Sequence, residues 1–514
     1  KIASAQEPDG YINTFYSLTG LDKRWKDMEK HEDYCAGHLM EAGVAYYQAT
    51  GKRQLLDVAI RMADHIDTQF RRANKPWVSG HEEIELALVK LYKATGEDRY
   101  LQLADWFLDQ RGRGYGVGGI WDNPHWGPKY AQDDVPVKDQ KEITGHAVRA
   151  MYLYTGAADV AVAKNDPGYM KAMKTVWEDV VYRNMYITGG IGSSGSNEGF
   201  SIDYDLPNEN AYSETCASVG MVFWNQRMNL LEGQSQYIDV LERSLYNAAL
   251  DGLSLTGDRF FYGNPLASTG QHFRKEWFGT ACCPSNISRL VASVGDYIYA
   301  KNEHGIWVNL FIANQTEFDL SGEKVAVEMK SNFPWEGKVE LEVNPTTSNR
   351  FAISLRIPGW IQENPVPGKL YSFLKEEKTS FTLLVNGEKA TFREENGYAV
   401  LDRTWKKGDR ITYELPLEIR ELQSRPEVLA NTDRIAIQRG PLVYCVEGAD
   451  NEGKVLQLAL DSNPNFTTKE YQILDEKVQA IQFQALDGQT TKTVTAIPYY
   501  TWANRGQNEM MVWI

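Results

Sequence analysis

Apolar side chains recur at helical spacing in the first part of the chain. Between residues 39 and 47 they lie at the i, i+3 and i+4 positions of an amphipathic helix, which Thr50-Gly51 is expected to end. Between residues 84 and 92 the same spacing returns, and Thr95-Gly96 follows it. The two glycine stops are about 45 residues apart, and each closes the first helix of a predicted pair.

The second helices of these pairs are predicted over about 54–70 and 98–111, and Tyr154-Thr155-Gly156 is expected to close a further helix. Repeated helix pairs are typical of a toroid or solenoid built from stacked hairpins. We count roughly nine helices before Ala300, the last starting near Ser285. A closed (α/α)6 barrel needs twelve, so the sequence predicts a barrel-like helical domain over 1–300 that lacks its first helices.

After residue 301 the pattern changes to the two-residue alternation of β-strands. It runs through residues 325–329, 339–343 and 351–357, and Asn386-Gly387 marks a hairpin turn after another apolar run. We therefore predict one β-sandwich over 301–418, joined by the extreme C-terminus 500–514, and a second over 419–499. The whole chain is predicted to be a multidomain α+β protein.

Composition narrows the classes of function. A formal net charge of -15 with scattered basic residues disfavours nucleic acid as a partner, because phosphate would be repelled. The sequence contains no run of about 18 apolar residues, so it predicts no membrane span. A neutral sugar is compatible with this charge. We expect a cytoplasmic or periplasmic bacterial protein. The chain starts at Lys1 without an apolar signal segment, and a processed or truncated N-terminus is compatible with this start.

Two short segments concentrate metal-binding side chains. Ser213-Glu214-Thr215-Cys216 and Ala281-Cys282-Cys283-Pro284 together hold three of the five cysteines and a carboxylate. An odd number of cysteines, two of them adjacent, is a poor disulfide framework. Three thiols and a carboxylate can form a tetrahedral zinc site, and Pro284 is expected to make Cys283 extended so that both neighbours reach one ion. Small buried thiols are the alternative interpretation.

A glycine-rich segment over residues 188–200 presents a single carboxylate, Glu198. Such a segment suits an acid that lines a cleft or moves. It lacks a G-x-G-x-x-G pattern after a strand, so no dinucleotide site is indicated. A solvated surface loop is the alternative interpretation.

The stretches 198–207, 214–218 and 281–286 resemble those of the β-L-arabinofuranosidases of glycoside hydrolase family 127, and the related family 146 is also similar. The likeness runs from about Asp9 to the C-terminus. Further stretches that carry it are Asn332-Phe333-Pro334-Trp335, Arg356-Ile357-Pro358-Gly359-Trp360, Arg439-Gly440-Pro441-Leu442-Val443-Tyr444 and Tyr499-Tyr500-Thr501-Trp502-Ala503-Asn504-Arg505.

The resemblance implies a role for each candidate residue. It implies Cys282 as nucleophile and Glu198 as general acid/base of a retaining reaction that releases L-arabinofuranose from plant glycans or glycoproteins. The Zn²⁺ ligands that it implies are Glu214, Cys216, Cys282 and Cys283. The residues that match sugar contacts of the terminal subsite are His31, His81, His146 and Tyr262. By analogy it also implies a homodimer through the β-rich half.

Several alternatives stay open from the sequence. A zinc-bound water could be the nucleophile, or the zinc could be structural in a glycan-binding protein without catalysis. Glu198 could pair with Asp203 or Asp205 in an inverting glycosidase. The substrate could be another furanoside of pectin. Residues 194–197 lack a histidine that some family members carry before the acid, and about a hundred initial residues of the family are not matched.

Overall fold

The computed structural model describes residues 1–362, 364–375 and 379–514. The predicted order, helices first and strands after them, is confirmed in this part of the chain. Nine of its helices contain at least nine residues, which is the number that the periodicity predicted. The α-helices are α1 (Thr14–Thr19), α2 (Glu32–Thr50), α3 (Gln54–Gln69), α4 (Ile84–Thr95), α5 (Asp98–Gln110), α6 (Gly119–Asp122), α7 (Gly127–Tyr130), α8 (Ala147–Lys164), α9 (Pro167–Arg183), α10 (Thr215–Glu232), α11 (Ser235–Arg243) and α12 (Cys282–Ala292).

Strands follow residue 298, apart from one short strand that lies between α11 and α12. The strands are β1 (Ala267–Thr269), β2 (Tyr299–Asn302), β3 (Gly305–Val308), β4 (Asn314–Leu320), β5 (Glu323–Ser331), β6 (Lys338–Pro345), β7 (Asn349–Arg356), β8 (Tyr371–Phe373), β9 (Thr382–Val385), β10 (Glu388–Lys389), β11 (Arg393–Glu395), β12 (Tyr398–Trp405), β13 (Asp409–Glu414), β14 (Ile419–Ser424), β15 (Ala436–Arg439), β16 (Leu442–Glu447), β17 (Leu458–Leu460), β18 (Thr467–Ile473), β19 (Glu476–Asp487), β20 (Thr490–Pro498) and β21 (Glu509–Met511).

The chain forms two compact units. Unit 1 contains Lys1–Val180 and Ser194–Ser201, and unit 2 contains Val181–Ser193 and Ile202–Ile514. The helices α10, α11 and α12 belong to the compact unit that contains the sheets, and the helical domain over 1–300 stays a prediction. The (α/α)6-barrel-like arrangement of its helices stays a prediction. None of the described helices combines the length and the hydropathy that a bilayer crossing requires.

Unit 1 is built from helix pairs whose glycine stops lie where the sequence predicted them. Gly51 and Gly96 adopt left-handed φ angles of 71° and 73° after α2 and α4, a conformation that glycine reaches without a Cβ penalty. The expectation that Gly156 closes a helix is wrong, because α8 continues through it to Lys164. A Cβ at Gly156 would lie 2.8 Å from the Cβ of Glu85, so this glycine permits close packing of α8 against α4.

The described residues of unit 2 form three sheets. Two of them come from residues 299–414: a six-stranded sheet in the order β10-β9-β13-β6-β5-β4 and a five-stranded sheet in the order β11-β12-β7-β3-β2. A hydrogen bond connects the two sheets, in which the Tyr413 hydroxyl of β13 donates to the Arg356 carbonyl of β7 over 3.1 Å. The fully buried Arg356 guanidinium also pairs with Asp239 at 2.6 Å and with Glu242, which fixes α11 beside β7.

The third sheet has ten strands, with the main order β17-β19-β20-β16-β15-β14-β8. The last strand, β21, pairs with β1 and β16 in this sheet. The sequence had assigned residues 500–514 to the sandwich of 301–418, so that assignment is corrected. The buried apolar run from Met510 to Ile514 has no alternation that would reveal its partner, and backbone pairing decides the register.

Candidate catalytic and metal sites

Three thiols and one carboxylate converge in unit 2. The ligand atoms of Glu214, Cys216, Cys282 and Cys283 all lie within 4.8 Å of one another. The Sγ atom of Cys283 is 3.4 Å from that of Cys216 and 3.9 Å from that of Cys282. The Oε1 atom of Glu214 is 3.5 Å from the Sγ atoms of both Cys282 and Cys283. This donor set could hold one metal ion.

Two helix N-termini present these side chains. Glu214 occupies the N-cap position of α10, Cys216 is the second residue of that helix, and Cys282 and Cys283 begin α12. The expectation that Pro284 makes Cys283 extended is wrong, since Cys283 is helical. Pro284 is the third residue of α12, and an N–H in the first turn has no intrahelical acceptor, so proline is tolerated there.

Two residues that sequence reasoning missed support the cluster. The Asn286 amide Nδ2 donates to the Cys216 Sγ over 3.0 Å, and the Tyr212 hydroxyl donates to Glu214 Oε2 over 2.8 Å. Asn286 lies four residues after Cys282 in α12, so the helical spacing was a signal that could have found it. The Tyr262 hydroxyl, a predicted sugar contact, is 3.4 Å from that of Tyr212.

Protonation of the cluster follows from its burial. Burial raises the pKa of Glu214 to about 8 and raises the pKa values of Cys216 and Cys283 above their usual range. Hydrogen bonds from Cys216 and Cys283 lower the pKa of Cys282 to about 3. One negative charge is therefore stabilised on Cys282, and a divalent cation would favour loss of the remaining protons.

Glu198 lies in unit 1, where His146 fixes one of its oxygens. The His146 Nδ1 accepts hydrogen bonds from the backbone N–H groups of Val148 at 3.1 Å and Arg149 at 3.4 Å, at the start of α8. The ring proton therefore resides on Nε2, which lies 3.0 Å from Glu198 Oε2 and donates to it. The Nδ1 atom is thereby occupied as the acceptor that caps α8, and Nε2 is the nitrogen that faces Glu198.

Tyr130 is the second partner of the same carboxylate, and the sequence did not indicate it. Its hydroxyl donates to Glu198 Oε2 over 3.1 Å, and the Arg149 guanidinium lies 4.9 Å from the centre of its ring. The hydrogen bond from His146 is the largest influence on Glu198 and lowers its pKa in spite of partial burial. With 41% of its side chain exposed, Glu198 is a carboxylate that remains accessible to a ligand.

Backbone contacts hold Glu198 in an unusual conformation. Its φ angle is 53°, in the left-handed region that few residues with a Cβ adopt. The Glu198 carbonyl accepts from Ala147 N–H at 3.0 Å, and Gly199 forms bridges with both Ser194 and His146. A Cβ at Gly199 would overlap the Gly145 carbonyl. The surrounding chain therefore imposes the conformation, as is common at functional sites.

The other two predicted histidines lie in the same unit with the opposite tautomer. The Nδ1 atoms of His31 and His81 donate to the carbonyls of Glu29 at 2.7 Å and Glu82 at 2.9 Å, so each ring keeps its lone pair on Nε2. Burial keeps the pKa of His81 well below its usual value. The ring of His81 is 5.6 Å from that of His31 and 5.8 Å from that of His146. The Nε2 atoms of His31 and His81 can therefore accept hydrogen bonds from a hydroxylated ligand, whereas the Nε2 proton of His146 is directed at Glu198.

The structure brings the predicted site residues together as one group in each unit. The unit 1 group is His31, His81, His146 and Glu198, and the unit 2 group is Glu214, Cys216, Tyr262, Cys282 and Cys283. The supporting residues that only the structure revealed are Tyr130, Arg149, Tyr212 and Asn286.

Comparison with known protein families decides the class. Residues 1–296 match the model of the β-L-arabinofuranosidase GH127 catalytic domain, residues 305–417 its middle domain and residues 419–514 its C-terminal domain. The chain belongs to glycoside hydrolase family 127. The family that the sequence resemblance predicted is thereby confirmed, and with it the class of enzyme, a glycoside hydrolase.

Relatives of this family 127 chain include a characterised protein and solved structures. A non-reducing end β-L-arabinofuranosidase of Bifidobacterium longum is 38% identical, over 99% of this chain and 83% of the relative. The crystal structure of a GH127 β-L-arabinofuranosidase from Geobacillus stearothermophilus T6 is 39% identical with a TM-score of 0.93, and covers 100% of this chain and 84% of that one. A further solved GH127 β-arabinofuranosidase is 41% identical with a TM-score of 0.92, over 100% and 82% of the two chains.

Proposed function

We propose that this family 127 glycosidase removes L-arabinofuranose from the non-reducing ends of β-linked plant glycans or glycoproteins. The observation that carries the proposal is the buried cluster of three thiols and one carboxylate, formed by the very residues for which the family resemblance implies catalysis and metal binding. The activity named for the Bifidobacterium longum relative supports the substrate class. A homodimer stays a prediction.

We infer that the resident metal is zinc. With Zn–S bonds of ~2.3 Å and Zn–O bonds of ~2.0 Å, a tetrahedron has S···S edges of ~3.8 Å and S···O edges of ~3.5 Å. The cluster has S···S distances of 3.4 and 3.9 Å and S···O distances of 3.5 Å. These four edges lie within about 0.4 Å of the tetrahedral values, which supports a fit of the donor set to this ion, and thiolates select it over Mg²⁺ or Ca²⁺. When bound, zinc would keep the cluster thiols deprotonated.

The reaction that we propose proceeds in two steps with retention. In the first, the Cys282 sulfur attacks the anomeric carbon while Glu198 gives its proton to the leaving oxygen. In the second, Glu198 takes a proton from water, and the resulting hydroxide displaces Cys282 from the sugar. Glu198 must be protonated for the first step. Substrate that displaces water from its exposed face would raise its pKa and favour that form.

The test combines metal analysis with trapping of the cysteine adduct. Wild-type protein should contain one zinc per chain and hydrolyse para-nitrophenyl β-L-arabinofuranoside. Because the aryl group leaves without acid assistance, Glu198→Gln should accumulate a pentosyl adduct on the peptide that contains Cys282, detected by mass spectrometry. Cys282→Ser should abolish turnover, whereas Cys35→Ser, a thiol exposed outside the cluster, should retain it.

Two results would contradict this mechanism. Full activity of Cys282→Ser at unchanged zinc content would exclude the cysteine as nucleophile. Proton NMR can identify the anomeric configuration of the product that forms first. An inverted configuration would favour the pair of carboxylates that an inverting enzyme uses.

A further inference from the structure

A cleft of about 220 Å³ opens in unit 1 next to the residues that hold Glu198. Its walls include Trp126, Lys129, Tyr130, Thr144, Asn197 and Phe200. Asn197 directly precedes Glu198, and Tyr130 is the residue whose hydroxyl donates to the Glu198 carboxylate. The cleft is smaller than the roughly 300–1000 Å³ of sites for drug-sized ligands, so its size suits a single sugar ring.

An aromatic side chain forms one wall of this cleft. The ring of Trp126 stacks on that of Tyr130 with centres 4.4 Å apart and planes 13° from parallel. Its indole N–H donates to the Ser196 carbonyl over 3.1 Å, which fixes the orientation of the ring. A fixed aromatic surface suits the C–H face of a sugar, because little side-chain freedom is lost on binding.

Asn197 lines another wall of the cleft and carries a buried acceptor atom. The Asn197 Nδ2 donates to the Phe200 carbonyl over 2.8 Å, and this bond fixes which end of the amide is oxygen. The Oδ1 atom is buried and has no hydrogen-bond partner among the described residues. A buried acceptor without a donor is costly, so a ligand hydroxyl that reached Oδ1 would relieve that cost.

We propose that this cleft is the subsite for the leaving group, and that it takes a neutral pentose-sized sugar residue joined to the arabinofuranose that is cut off. This inference rests on the proposed function. A general acid must reach the glycosidic oxygen, so the sugar attached to that oxygen lies beside the acid. Tyr130 links the cleft to Glu198 directly. In this subsite the leaving sugar packs on Trp126, and one of its hydroxyls donates to Asn197 Oδ1.

The experiment compares two leaving groups. One substrate is a β-L-arabinofuranosyl-arabinose disaccharide, and the other is methyl β-L-arabinofuranoside, whose methyl group does not fill the cleft. Trp126→Ala should lower kcat/KM about tenfold on the disaccharide, which equals about 1.4 kcal/mol, and change it less than about threefold on the methyl glycoside. Trp126→Phe should restore most of the loss.

The matched control is Trp121→Ala. Trp121 packs against the same cluster around Tyr130 but does not line the cleft, and its indole N–H donates to Asp133 over 2.8 Å. It should affect both substrates equally. An equal loss on both substrates in Trp126→Ala would show that Trp126 acts through Tyr130 and Glu198, and no loss on either would show that the cleft is not used. Both results overturn the proposal.

Failure of the proposed function is a separate outcome. If the wild-type protein hydrolyses neither glycoside, binding of the disaccharide is followed by ligand-observed NMR. Loss of binding in Trp126→Ala but not in Trp121→Ala would still support a sugar site in the cleft. Absence of binding to the wild type would overturn it.

Discussion

Replacement of Tyr130 by phenylalanine tests whether the structure around Glu198 sets the acidity of the catalytic acid. The change removes one hydroxyl, the one that donates to Glu198 Oε2 over 3.1 Å. The ring stays stacked between Trp126 and Arg149. The hydrogen bond from His146 at 3.0 Å also stays, so the carboxylate loses one of its two described donors.

The size of the effect follows from that geometry. A hydrogen bond to a charged group contributes about 1.5–3 kcal/mol. Since 41% of the Glu198 side chain is exposed, water replaces part of the lost bond, and we expect about half of this amount. At about 1.4 kcal/mol per pH unit, the pKa of Glu198 should rise by about 0.5–1 unit.

The assay is the pH dependence of kcat/KM on an arabinofuranosyl disaccharide, whose sugar leaving group needs a proton. Glu198 acts as an acid in the first step, so activity falls as pH rises through its pKa. A higher pKa therefore moves the alkaline limb of the profile to higher pH. On para-nitrophenyl β-L-arabinofuranoside the limb should move less, because that leaving group needs little acid assistance.

The matched control is Tyr154→Phe. Its hydroxyl, on α8 in the same unit, donates to Gln140 Oε1 over 3.0 Å, whereas the hydrogen bonds described for Glu198 come from His146 and Tyr130. This variant should keep the wild-type profile. An unmoved alkaline limb in Tyr130→Phe, or one displaced to lower pH, would refute the assignment of Glu198 as the acid that Tyr130 tunes.

Three further outcomes are expected. Chelation should abolish activity and lower Tm reversibly, because the buried ligands lose their counter-charge. Metal retention should fall as the pH is lowered, because protons compete with the metal for the thiolates. Activity and Tm that are unaffected by complete metal removal would contradict this prediction. Asn286→Leu removes the donor to Cys216 and should weaken zinc binding about 10–100-fold in a competition with a chromogenic chelator, whereas unchanged affinity would exclude that support role. Arg356→Met leaves Asp239 and Glu242 buried without their cation and should cost about 3–5 kcal/mol, read as a clear drop in Tm that an unaltered melting curve would disprove.

The sequence by itself determined the order of the elements and the candidate residues. Hydrophobic periodicity and glycine stops act within one turn or one strand, so the ends of α2 and α4 and the change to strands near residue 300 could be predicted. Glu198, Glu214 and the three cysteines could be proposed because their chemistry and the family resemblance are both local in the sequence. The sequence also predicted the family that the comparisons confirmed.

Only the tertiary structure decided which residues meet. Tyr130 reaches Glu198 across 68 positions of the chain, and Cys216 meets Cys283 across 67, distances over which no periodic pattern carries information. The sequence suggested a helix end at Gly156 because glycine is common at helix caps. Here glycine is required for another reason, which is that a Cβ would lie too close to Glu85. Likewise the tautomer of His146 depends on its position at the start of α8. Local patterns report backbone preference, whereas side-chain contacts, tautomers and strand partners are set by atoms brought together from distant parts of the chain.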